Sequence, residues 1–210
     1  MKRDYLEKEP KLDTRQKTFI IASIITVSGI FGWLYEYFFY FLNSGMKTFY
    51  MRGGNFLPWI NIYAYGAFLI LFLTFKRRKH PLQVFLISAI STGILEFFSG
   101  YILYEKLGWL RCWSYNEEIL NFGNIGGFVC LRSVTVFGIC GLLLIYGILP
   151  VLIKLATTKD LKILLPISII ICSIILFDEV YNLIFADLLS LPKASTFYKS
   201  LGFKYIYFTR

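Results

Sequence analysis

Apolar residues along this chain gather into five runs of roughly 20 residues each or more, the length an α-helix needs to cross a hydrocarbon core of about 30 Å. The runs cover about residues 18–43, 57–75, 81–104, 128–153 and 163–189. Short polar breaks separate them. SGMKTFYMRGGNF precedes the second run, FKRRKH closes it, and ATTKD precedes the fifth. Pro81 opens the third run at a first helical position, where its missing N–H costs nothing. The pattern predicts an all-α, polytopic integral membrane protein of about five transmembrane helices, with room for a sixth re-entrant or interfacial element. Its bundle covers residues 17–189, between a polar tail (1–16) and a basic, aromatic tail (190–210) that fits a short amphipathic surface helix.

One connection breaks the rhythm. Residues 105–127, EKLGWLRCWSYNEEILNFGNIGG, are too polar to span and too aromatic for a solvated linker. They read as a segment packed at the membrane interface, where Trp and Tyr concentrate. The interfacial candidates are Arg52, Arg111, Trp113, Tyr115 and Asn124, with Trp109 in the same aromatic belt.

Composition narrows the class. The chain is 57% hydrophobic and 19% aromatic, with a mean hydropathy of +0.61, which rules out a disordered chain, a coiled coil and a secreted disulfide scaffold. The net charge of +9 reads as orientation rather than nucleic-acid binding. The 1–16 tail with Lys17, the second-to-third turn and the fourth-to-fifth turn hold 13 Lys and Arg, against 4 in the opposite loops. By the positive-inside rule the N-terminus of this multi-pass chain is cytoplasmic and its C-terminus lies outside. The basic residues Lys193, Lys199, Lys204 and Arg210 run against that placement of the C-terminal tail. Four cysteines form no C-x-x-C pair, and Cys130, Cys140 and Cys172 read as buried free thiols. A single histidine, His80, leaves no basis for Ser–His catalysis or a His-ligated zinc site. The expectation is a non-enzyme with no cofactor and no metal.

A charge inside a span costs on the order of 2.5–3.5 kcal/mol and tends to face a bundle interior or a cavity. Glu36, Glu96, Arg132, Asp178 and Glu179 sit inside runs, at depths of roughly 6–17 Å below the outer surface by helical rise. Asn61, Tyr63 and Tyr65 fall in the same slab. Every run therefore contributes a polar group to one layer. The expected site is a substrate or ion cavity in the outer leaflet formed by Glu36, Glu96, Arg132, Asp178, Asn61, Tyr63 and Tyr65, with Asp178 favoured over its neighbour Glu179. The plainer reading is that Arg132 pairs with a carboxylate, Glu96 first and Glu36 next, to brace the bundle. The glycine pairs Gly29/Gly32, Gly93/Gly100 and Gly138/Gly141 read as close helix contacts. GWLYEYFF and TGILEFF each place a glutamate before aromatics in outward-running spans, a short internal similarity.

Several blocks in order resemble a known family. They are GWLYE (Gly32 to Glu36), MRGGNFLPWINIYAYG (Met51 to Gly66), LEFFSG (Leu95 to Gly100), WLRCWSY (Trp109 to Tyr115) and NIGGFVCL (Asn124 to Leu131), followed by Phe137 and Gly138. The chain resembles the ABC-transporter type IV family of bacterial membrane proteins, also called CmpB-like. The resemblance covers about Gly32 to Pro150 and implies a transporter-type permease or subunit. The family pattern N-x-N-G-[RK]-[IV]-C-L is altered, with Gly126 and Phe128 at the second Asn and the basic position, and Arg132 stands one helical turn on. No P-loop sequence occurs, so ATP coupling belongs to a separate ATPase. Expected partners are membrane lipids and such an ATPase or another membrane subunit. The alternatives are a non-transporting accessory or lipid-binding protein and, behind it, an intramembrane lipid-modifying enzyme.

Overall fold

The computed structural model describes residues 2–7, 9–106 and 113–205, so Trp109, Arg111 and Cys112 lie outside the described residues. Four helical stretches are long and apolar enough to cross a membrane: Thr14–Asn43, Pro81–Lys106, Leu131–Thr158 and Leu161–Leu188. A short helix α1 (Lys2–Glu7) precedes α2 (Thr14–Asn43), whose start is fixed by a capping box between Asp13 and Gln16. After α3 (Asn61–Thr74) comes α4 (Pro81–Tyr101), which runs on through a π-helical turn at Ile102–Lys106. Next, α5 (Leu131–Leu143) continues through the π turn Leu144–Ile148 into α6 (Leu149–Thr158). Last of the long helices is α7 (Leu161–Val180), and a π turn joins it to the single turn α8 (Ala186–Leu188). The tail forms α9 (Ala194–Ser200).

The second run differs from the helix its hydropathy predicts. Residues 57–60 are not helical, and α3 is only 14 residues long, extended by a 3-10 turn at Phe75–Arg77. Before α3 the chain turns back into the bundle along α2. Trp59 Nε1 donates to the Ile25 carbonyl at 3.0 Å, and Ile60 N to the Gly29 carbonyl at 3.1 Å. Both carbonyls lie near the middle of α2, so α3 begins at mid-length of the bundle and residues 55–60 form a re-entrant segment at the start of the second run. The break has one local cause and one distant in sequence. Pro58 supplies no N–H and disfavours helix at Leu57. Gly29 has no side chain, and the Trp59 indole occupies the space where a Cβ would stand.

Non-helical backbone inside a bundle must find hydrogen-bond partners in protein, and α7 supplies them. The Asp178 carboxylate accepts from Phe56 N (3.1 Å) and Leu57 N (2.7 Å). Glu179 accepts from Asn55 Nδ2 (2.7 Å) and Asn61 Nδ2 (2.5 Å).

Packing divides the bundle into two halves. At the basic pole, which carries the Lys76–Lys79 turn, an apolar core joins Phe19, Ile20 and Ile24 to Ile70, Val84, Ile145 and Leu152. Tyr5 of α1 joins this core, and its carbonyl accepts from Arg78 Nε at 2.8 Å, so the polar tail docks by its first turn. Helices α4 and α5 lie antiparallel, with Phe85 against Gly138, Ser88 against Gly141, and Phe128 against Gly100. Outward faces are apolar, as with Phe72 at 82% exposure, which suits a hydrocarbon surround. At the opposite pole, β1 (Tyr50–Met51) pairs in parallel with β2 (Lys204–Tyr205), and Tyr198 of α9 donates to the Phe56 carbonyl at 2.6 Å. The last described residues thus lie at the pole opposite the start of α2.

Candidate functional site

Towards the pole opposite the basic turn, the apolar core gives way to a polar cavity. Successive turns of α2 present Glu36 and Tyr40 on one face, with Tyr35 and Phe39 beside them. Tyr63 comes from α3, Glu96 from α4, and Arg132, Ser133 and Phe137 from α5. The connection between α4 and α5 closes the cavity with Trp113, Tyr115 and Glu118. The space is about 40 Å³, enough for about three waters at roughly 10–15 Å³ each in the same measure.

The closing segment is held by its own turn chemistry. Tyr115 N donates to the Gly127 carbonyl at 3.1 Å, and Gly127 N to Asn124 Oδ1 at 2.8 Å. Gly126 and Gly127 have φ of +61° and +76°. Glycine and asparagine are the residues that adopt this region most readily, so glycine in place of the family pattern's second Asn preserves the turn. Trp113 Nε1 donates to the Phe128 carbonyl at 2.9 Å, fixing the indole against Gly100. Ser133 then caps α5 through Cys130, which starts the helix at Leu131 and places Arg132 in its first turn.

Two ion pairs span the cavity. Arg52 meets Glu36 at 2.6 Å, and its guanidinium carbon stands 4.0 Å from the Tyr40 ring centre. Arg132 meets Glu118 at 2.5 Å and stands 3.9 Å above the Phe39 ring and 5.2 Å from that of Tyr115. Tyr40 donates its hydroxyl proton to Glu118. Glu96 is held differently. It accepts from Tyr115 OH at 2.5 Å and from Ser133 Oγ at 2.9 Å, and it belongs to none of the ion pairs among the described residues.

Burial pushes the Glu118 carboxyl above its ordinary range, while its hydrogen bonds with Tyr40 and Arg132 pull it back. Tyr115 is raised well above its usual value, first by burial and then by the neighbouring Glu96. Burial opposes the charge on Arg52, but the Glu36 carboxylate together with Tyr40 and Tyr63 outweighs it and holds the guanidinium firmly protonated.

The expected site residues separate into groups. Glu36, Glu96, Arg132 and Tyr63 line this cavity, and so do Trp113 and Tyr115 from the interfacial segment. Asp178 and Asn61 do not, because they hold the re-entrant segment with Glu179. Tyr65 is 56% exposed on the outer face of α3. Arg111 lies outside the described residues. Asn124 shapes the closing turn. The partner of Arg132 is Glu118, not Glu96, and the partner of Glu36 is Arg52. Glu118, Tyr35 and Tyr40 were not legible as site residues, since neither an acid in a connecting segment nor a tyrosine in an apolar helix stands out. The fact that two ring faces receive arginines became visible only with the fold.

Among the described residues, no three His, Cys, Asp or Glu side chains are placed to hold a metal ion. No curated protein and no solved structure matches the chain. A family model described as "Putative ABC-transporter type IV" matches residues 23–183, which takes in most of α2, all of α3 to α7 and the whole cavity.

Proposed function

This chain belongs to the ABC-transporter type IV family, and on that premise we propose that it is a membrane-embedded permease-type subunit whose cavity between α2, α4, α5 and the 113–118 segment receives the transported solute or ion. In this reading the protein sits in a bacterial cytoplasmic membrane with its basic pole in the cytoplasm. The cavity then faces the outer leaflet, and a separate ATPase or other membrane subunit supplies the energy.

The observation that supports the reading is the composition of the cavity. Bracing is complete with two ion pairs, Glu36 with Arg52 and Glu118 with Arg132, each tying a helix to a connecting segment. It needs neither a third buried carboxyl, which is costly in an apolar surround, nor unfilled space beside it. Glu96 is 6% exposed and stands beside that space on two hydroxyl donors.

The test uses neutral replacements of equal volume. Glu96→Gln keeps an acceptor for Tyr115 and Ser133, so the melting temperature of the detergent-purified protein should stay within about 3 °C of the parent. Growth complementation of a deletion strain should fall sharply. A variant that is equally stable and complements fully would overturn the proposal and leave a bracing role.

A further inference from the structure

The geometry points to a small organic ammonium ion as the ligand of the cavity, held by the Glu96 carboxylate and by the aromatic walls beside it. This assignment rests on the cavity being a ligand site, and it follows from what the two ion pairs leave over. Three acids and two guanidiniums line or reach the space, so the charges balance when one further monovalent cation, or a proton on one acid, is present. Glu96 is the acid left over. Its two hydrogen bonds come from neutral hydroxyls, those of Tyr115 and Ser133.

The walls say which kind of cation. Rings attract cations through their faces, and this cavity already uses that mode twice, with Arg52 4.0 Å from Tyr40 and Arg132 3.9 Å from Phe39. Tyr63, Trp113 and Phe137 line the same space and have no arginine stacked on them among the described residues. A divalent metal ion is poorly matched. Calcium prefers a shell of six to eight oxygens rich in carboxylates, and no three His, Cys, Asp or Glu side chains are placed to hold a metal among the described residues. An alkylammonium fits both parts, its N–H groups on Glu96 and its carbon on the rings. The volume of about 40 Å³ limits it to a few non-hydrogen atoms.

The probe is methylammonium chloride, added to the full-length protein in mild detergent at neutral pH and read by thermal shift. The parent should show a saturable rise in melting temperature, and sodium chloride at the same ionic strength should show none. Glu96→Gln should abolish the rise. Phe137→Leu, which keeps the charge and removes one ring, should weaken methylammonium binding about two- to fivefold, so the assignment does not depend on one variant. An equal rise with sodium, a rise that survives Glu96→Gln, or no rise in the parent would each overturn it. A response to acidification alone, lost in Glu96→Gln, would also overturn it and make Glu96 a proton site. Complementation keeps the two readings apart. If Glu96→Gln fails to complement while methylammonium has no effect, only the ammonium assignment falls; if it complements fully, the transport site beneath it falls as well.

Discussion

Glu118, carried by a connecting segment rather than a helix, meets Arg132 of α5 at 2.5 Å, and both side chains are nearly shut off from solvent. The pair ties the cavity's lid to its wall. Its energetics are of the buried kind, in which removing one partner strands the other.

Arg132→Ala should therefore destabilise the protein by about 3–5 kcal/mol, read as a large fall in melting temperature in detergent. Adding Glu118→Gln should recover part of that loss, because the stranded carboxylate disappears. Combining Arg132→Ala with Glu96→Gln should give losses closer to additive. The reverse pattern would reassign the pair.

Asp178 bonds two successive amides of the re-entrant segment. Hydrogen bonds to a charged group contribute about 1.5–3 kcal/mol each, so Asp178→Ala should cost about 3 kcal/mol or more. Hydrogen exchange at residues 55–60 should accelerate in this variant before the rest of the bundle is affected. If protection in that segment were unchanged, the α7 carboxylate would not be what holds it.

Gly29 lies directly under the Trp59 indole. Gly29→Ala should cost about 1–3 kcal/mol through overpacking. Gly147 is the control, since a Cβ there meets nothing within 4 Å. Gly147→Ala should be neutral or slightly stabilising by thermal melt, as glycine in a helix costs roughly 0.5–1 kcal/mol relative to alanine.

The orientation has a direct chemical check. In a background without native cysteines, Leu120→Cys, at an exposed position on the lid, should react with an impermeant maleimide from outside the cell. Arg77→Cys, in the basic turn, should react only after the membrane is opened. The opposite pattern would invert the protein and turn the cavity towards the cytoplasm.

The spans were legible because an apolar run of membrane length has few other uses. The start of α3 was not. Leu57, Trp59 and Ile60 continue the apolar pattern on either side of Pro58, and beyond that proline what breaks the helix is distant in sequence: the vacant surface of Gly29 and the two acids of α7. Glu36, Glu96 and Arg132 were legible as polar groups because a charge in such a run must have a reason. Depth alone, however, could not sort them into partners. Asp178 lies in the same layer as Glu96 yet serves a different neighbour, since the side of the helix a residue faces depends on packing. Arg52 was legible only as an interfacial residue and Glu118 carried no signal, because a charge in a loop is ordinarily solvated, and only the folding back of both loops buries them.

The dependence of residues 55–61 on Asp178 and Glu179 also constrains how the chain is assembled. The ribosome delivers the re-entrant segment well over a hundred residues before the acids that satisfy it. Until α7 arrives, the Phe56 and Leu57 amides and the Asn55 and Asn61 side-chain amides lack their native acceptors. Residues 55–61 therefore cannot complete their native hydrogen bonds in the order of synthesis, and they do so only once α7 is present. A chain cut after Thr158 would contain every residue of the re-entrant segment and still lack the two acids that satisfy it.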